Sequence, residues 1–164
     1  MVVVTLNHRL SGLAHLYLGA LDASFPDAGN AGILDLVLAL QWVRDHAAEF
    51  GGDAGCVTVF GQSGGGAKIA TLMALPAARG LFHRAATMSG QQITAASPMA
   101  ASRRARTVLD ALGVKPGERQ RLRTLPLEQL LAAFRTPDPS LPGRSVYFGP
   151  LLDEVHLPRH PFYP

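Results

Sequence analysis

Val57-Thr58-Val59-Phe60-Gly61-Gln62-Ser63-Gly64-Gly65-Gly66 decides the fold. An apolar β-branched run from Cys56 to Phe60 predicts a short strand, Gly61 to Gly66 a glycine-rich turn, and Ala67 to Ala74 a helix that Pro76 ends. Working outward, Arg84 to Met88 predicts a further strand closing on Ser89-Gly90. Upstream, Val2 to Leu6 is a β-branched apolar run suited to a strand buried on both faces. Asn7 to Gly29 reads as a long loop. Residues 31 to 49 read as a well-buried helix, with Ile33, Leu34, Val37, Leu38, Leu40, Trp42 and Val43 covering more than one stripe; Gly51-Gly52-Asp53 stops it. The order strand, helix, strand, helix, strand predicts two βαβ crossovers and a parallel α/β sheet.

Gly61-Gln62-Ser63-Gly64-Gly65 is a G-x-S-x-G pattern set between a strand and a helix, the context in which that pattern carries chemistry. A nucleophilic serine there projects from the carboxyl end of a strand on a very sharp turn. That turn forces Ser63 into a strained backbone conformation. Glycines two residues before and after leave room for strand and helix to approach. The N–H of Gly64 then points at a developing oxyanion, with the positive end of the helix behind it. Two rivals are phosphate loops. G-x-x-x-x-G-K-[ST] fits from Gly61 to Gly66, but Ala67 stands where Lys is required, Lys68 is one residue late, and Ile69 replaces the hydroxyl. G-x-G-x-x-G from Gly64 has Ile69 in place of its last glycine. The third rival is a glycine-rich turn with an incidental serine.

The 164 residues bound the remaining possibilities to about one domain. A hydrophobic share of 48% against 16% charged excludes global disorder. The net charge of +3 is local: residues 103 to 123 carry seven basic side chains against Asp110 and Glu118, leaving the rest net negative. No aromatic residue interleaves those charges, so a solvated helical face is expected rather than a nucleic-acid or membrane-surface patch. Cys56, the single cysteine, cannot form an internal disulfide and is expected as a packed thiol. The six histidines show no HExxH pair, and no metal or cofactor is expected. No apolar run of about 18 residues predicts a transmembrane helix, and the start lacks the basic leader of a signal peptide. A cytoplasmic location is therefore favoured for the chain as given.

Beyond Gly90 the chain changes character. Ser97-Pro98 predicts a capped helix running to about Leu112 and stopping at Gly113. A second helical stretch is expected from Pro126 to Phe134, a proline-rich loop from Pro137 to Gly143, and an extended segment from Val146 to Leu152.

Several further segments carry a family resemblance in one order: Val2 to Leu10, Gly29-Asn30 to Asp35, Ala39-Leu40-Gln41-Trp42-Val43, Phe50-Gly51-Gly52-Asp53, Val57 to Ser63, Gly80-Leu81-Phe82-His83-Arg84-Ala85, Met88-Ser89-Gly90, and Phe148-Gly149-Pro150 to Asp153. Together they resemble the type-B carboxylesterases, which include cholinesterases and bacterial para-nitrobenzyl esterases. Gln62 and Gly64 replace the family's common Glu and Ala. The resemblance implies a partial α/β-hydrolase fold, a parallel central sheet flanked by helices, followed by a helical substrate-side segment. Residues 1–96 are expected as the partial core with the nucleophile elbow, and 97–164 as a helical and loop segment of the same hydrolase domain. It implies hydrolysis of small carboxylic esters through an acyl-enzyme on Ser63, with Gly64 as an oxyanion donor and no cofactor or metal; from the charge and hydropathy pattern above, no nucleic-acid or membrane partner is expected.

The family's His-Gly-Gly-Gly loop precedes the strand that matches Val2 to Leu6, and its acid and histidine follow the segment that matches Gly149 to Leu157. The chain is therefore expected to be an internal piece of a longer enzyme. A substitute triad of Ser63, Asp153 or Glu154, and His156 or His160 has the right order, but its acid and base crowd one local segment. Bland roles are expected for Asp35 (paired or capping), His8 and Arg9 (tying the loop), His83 (turn packing), Ser89 (turn hydroxyl, with a hydrogen bond supporting the nearby site as the alternative) and Trp42 (core). The alternative function is a non-catalytic hydrolase-like binding or interaction protein, against which Ser63 itself argues.

Overall fold

A computed structural model describes residues 1–90 and 92–162. In chain order its elements are α1 (Ser11–His15), α2 (Ala31–His46), β1 (Thr58–Gln62), α3 (Gly64–Ala74), β2 (Arg84–Met88), α4 (Pro98–Ala111) and α5 (Leu127–Ala133). They fall into two compact units. One comprises residues 1–9, 32–95 and 152–164; the other comprises residues 10–31 and 96–151.

The first unit holds the sheet. β1 and β2 pair in parallel, from Thr58 opposite Arg84 to Gln62 opposite Met88. Parallel neighbours need a crossover, and α3 supplies it, packing on both strands. Its buried Ile69, Ala70, Leu72 and Ala74 face inward. Leu75, in extended conformation before Pro76, ends it, because the residue before proline is pushed out of the helical region. α2 contributes Ile33, Val37 and Leu40, spaced along one helical face, to a core completed by Leu72, Leu75, Leu81 and Leu157. A 3-10 turn, Ala47–Phe50, follows α2. Gly51 then adopts φ 74°, the left-handed conformation that closes a helix, and returns its N–H to Ala47 and Ala48.

Three expectations fail in this unit. Val2 to Leu6 forms no strand, and Val3 is 60% exposed. β propensity needs a ladder to act through, and no described strand pairs with this run. Among the described residues one βαβ crossover is therefore present where two were expected. Trp42 is 45% exposed and Leu38 66%. Both lie on the face of α2 turned from the core, where Trp42 stacks on His46 at 5.1 Å and Phe50 at 5.7 Å. Cys56 is exposed: a turn in which Asp53 accepts its N–H holds it outside, and Arg84 donates to its Sγ at 3.2 Å.

The second unit is helical. Ser97 caps α4 by accepting the Ala100 N–H at 3.3 Å, with Pro98 in the first turn and Gly113 at φ 63° beyond its end. Ala101, Ala105, Val108 and Leu109 of α4 are buried. Leu16, Leu18, Val114, Phe134 and Val146 share a core with three of them. The loop expected over residues 7–29 contains α1, and Gly12 stands against the Phe134 ring. The extended segment expected over residues 146–152 forms a single parallel bridge, Leu151 with Ala96, rather than a strand. Asn30, fully buried, fixes it by exchanging two hydrogen bonds with the Leu151 backbone.

Several arginines of the basic segment are tied down within this unit, so it is more than a solvated face. Arg104 pairs with buried Asp138 at 3.5 Å, Arg119 donates to the Leu21 carbonyl, and Arg123 lies 4.7 Å from the Phe25 ring centre.

Candidate active site

Ser63 is the single residue between β1 and α3, at φ 51° and ψ −117°. A non-glycine residue there is strained by about 1–3 kcal/mol and persists only when its surroundings hold it. Two hydrogen bonds do so. The Ser63 N–H donates to the Met88 carbonyl at 2.7 Å, extending the ladder one residue past the strand. The Ser63 carbonyl accepts the Ala67 N–H at 3.0 Å, opening α3. The strand therefore ends and the helix begins on the same residue, as the pattern requires. α3 starts at Gly64, three residues before the expected Ala67, because the elbow itself sets the first helical turn.

The glycines explain themselves by space. A Cβ on Gly61 would come within 2.7 Å of the Gly65 carbonyl carbon, so the two outer glycines of the pattern touch. Gly64, first residue of α3, is exposed beside Ser63. The N–H groups of a first helical turn have no partner within the helix, and they carry the positive end of its dipole. A hydroxyl on a strained turn, followed at once by such an N–H, can attack a carbonyl carbon and receive the resulting oxyanion.

Two residues beside the elbow escaped the sequence reading. Gly90 packs directly against Ser63, and Ser89 before it takes φ 51°. A Ser-Gly pair closing the neighbouring parallel strand was its only signal. Lys68 figured solely as a displaced phosphate-loop lysine. It folds back along α3, and its Nζ donates to the Gly64 carbonyl at 3.3 Å. Partial burial pushes its ammonium down from the ordinary lysine value.

Two residues of the substitute triad have other partners. Asp153 Oδ1 accepts the N–H groups of Val155, His156 and Leu157, which makes it the cap of its own turn. His160 Nδ1 accepts the Ala95 N–H at 3.1 Å. A triad histidine must carry a proton on Nδ1 toward its acid, so this contact opposes that role for His160. The bland readings fare better. Asp35 is paired, taking the Arg9 N–H at 2.9 Å and the Arg9 guanidinium, which holds its carboxyl below the usual range. His83 Nδ1 accepts the Val57 N–H at the head of β1. Among the described residues no group of three or more His, Cys, Asp or Glu is placed to hold a metal ion, and no helix is long and apolar enough to cross a membrane.

The "Carboxylesterase family" model matches residues 1–163. The chain is 41% identical to the para-nitrobenzyl esterase of Bacillus subtilis (strain 168) over 98% of its own length and 33% of that protein's. It is 52% identical to human carboxylesterase 3 over 55% of its length, which is 15% of that protein. A solved PNB esterase superposes on 94% of it with a TM-score of 0.86 at 38% identity. A Geobacillus stearothermophilus carboxylesterase does so with a TM-score of 0.85 at 40% identity. The chain spans about a third of each of these two structures. Its parallel strands, crossover helix and elbow are those of a partial α/β-hydrolase fold.

Proposed function

Since the chain belongs to the carboxylesterase family, we propose that it carries the nucleophilic half of a serine carboxylic-ester hydrolase acting on small carboxylic esters. The observation that carries this reading is Ser63 held at positive φ between the end of a parallel strand and the start of a helix.

In this reading Ser63 Oγ bonds to the ester carbonyl carbon. The carbonyl π pair moves to oxygen, which the Gly64 N–H receives, and the hydroxyl proton passes to a general base. Collapse returns the pair, expels the alcohol with that proton, and leaves an acyl group on Ser63. Water then repeats the sequence and releases the acid. The role of Asp153 as a turn cap and the engaged Nδ1 of His160 favour a base and an acid drawn from chain outside these 164 residues. No step in this scheme calls for a cofactor.

The test uses the protein as its gene encodes it. Ser63→Ala is expected to lower kcat for a chromogenic short-chain ester by about 10⁶ and to abolish labelling by a fluorophosphonate. A folded variant keeping more than about a tenth of the activity removes Ser63 from the mechanism.

A further inference from the structure

Lys68 stands one turn along α3 from Gly64, on the same helical face. Its Nζ donates to the Gly64 carbonyl at 3.3 Å, and a Cβ on Gly64 would lie 3.6 Å from that nitrogen. The ammonium therefore sits at the amino end of the helix, beside the residue whose N–H receives the oxyanion in the reading above.

For the folded protein at rest, this is an unfavourable place for a cation. The helix dipole is positive there and opposes the charge, against which the structure sets the Gly64 carbonyl as its partner. Partial burial removes part of its hydration. Among the described residues no carboxylate forms an ion pair with it. A neutral side chain would serve the helix better. What the position does favour is a negative charge near Gly64, and acyl transfer at Ser63 creates one.

We propose that Lys68 is a positioning residue for acyl transfer: its ammonium, hydrogen-bonded to the Gly64 carbonyl, steadies the Gly64–Gly65 peptide that follows the oxyanion-binding N–H and adds positive potential where the oxyanion forms. The inference rests on Ser63 being the nucleophile. In this role Lys68 acts as a fixed charge and moves no proton. Its contribution is a fixed charge already in place when the carbonyl π pair shifts to oxygen, so it lowers the barrier without reorganisation. Because the charge develops only at the transition state, the effect falls on kcat rather than KM.

Lys68→Met preserves length and removes the charge. In the protein as its gene encodes it, kcat for a neutral short-chain 4-nitrophenyl ester is expected to fall about tenfold, with KM within about twofold. The thermal midpoint is expected to hold or rise. Lys68→Arg, which keeps the charge, is expected to stay within about threefold of the parent kcat. A Lys68→Met enzyme that melts lower, fails to fold, or turns over within about twofold of the parent overturns the inference. So does a Lys68→Arg enzyme as slow as Lys68→Met, since shape rather than charge would then act. Ser63→Ala in the same assay separates the two levels. If it remains active, the nucleophile reading fails; if it is inactive while Lys68→Met is unimpaired, only the role of Lys68 fails.

Discussion

Gly90 lies directly against the backbone of Ser63: a Cβ placed on it would overlap the Ser63 carbonyl oxygen and stand 2.6 Å from the carbonyl carbon and 2.9 Å from Cα. Because that carbonyl opens α3 and the N–H of the same residue is held by Met88, the segment closing β2 braces the elbow from one side. If Ser63 is the nucleophile of the proposed mechanism, Gly90→Ala is expected to reduce ester turnover by about 10², since a group displaced by an ångström can lose that much. Steady-state kinetics at a temperature well below the melting transition will read it. Activity within about threefold of the parent would show that the brace yields without moving Ser63.

Asp138 anchors the helical unit. Its side chain is 1% exposed; Oδ1 takes the Ser140 N–H at 2.8 Å and the Ser140 hydroxyl, while Oδ2 faces Arg104. Asp138→Ala leaves the partly buried Arg104 without its counter-charge and opens the turn. A loss of about 2–4 kcal/mol is expected. Urea unfolding will measure it, and a change below about 0.5 kcal/mol would mean that the pair contributes nothing net.

The Arg9–Asp35 pair sets a pH dependence. Hydrogen bonding to Arg9 lowers the Asp35 carboxyl from its ordinary 3.8. A carboxylate depressed in the folded state stabilises fully above its unfolded value and loses that stabilisation as pH falls through the folded one. The stability difference between parent and Arg9→Gln is therefore expected to be constant above about pH 5 and to shrink toward zero below. A difference that grows on acidification would contradict the pairing.

The basic segment is expected not to recognise nucleic acid by sequence. Arg104, Arg119 and Arg123 are engaged within their own unit and Arg121 pairs with Glu118, while Arg103, Arg106 and Lys115 stand exposed without such contacts among the described residues. In a gel shift, any binding should fade steeply between about 50 and 200 mM salt. Tight, sequence-dependent retention at the higher salt would reverse this expectation.

Residues 1–164 expressed by themselves are expected to self-associate. β1 and β2 pair only with each other among the described strands, and Phe60, Met88, Leu38 and Trp42 are exposed. Unpaired strand edges and apolar surface of this kind template association. Sedimentation showing a monodisperse monomer at about 50 μM, well inside the micromolar range where such surfaces aggregate, would refute it.

What the sequence determined by itself is whatever rests on neighbours along the chain. Ser97-Pro98 starts α4, Gly51 and Gly113 end helices, and the alternation of apolar runs with glycine turns marks β1, α3 and β2, because capping, positive φ and short-range periodicity are local. The elbow at Ser63 was legible for the same reason: five consecutive residues carry its geometry. Tertiary structure decided the rest. Val2 to Leu6 has a strand's composition but no ladder, Trp42 and Cys56 have core residues' chemistry but outward positions, and Gly90 acquires meaning only where the fold brings it to Ser63. Pairing, burial and close approach depend on which distant segment arrives, and no local pattern encodes that arrival.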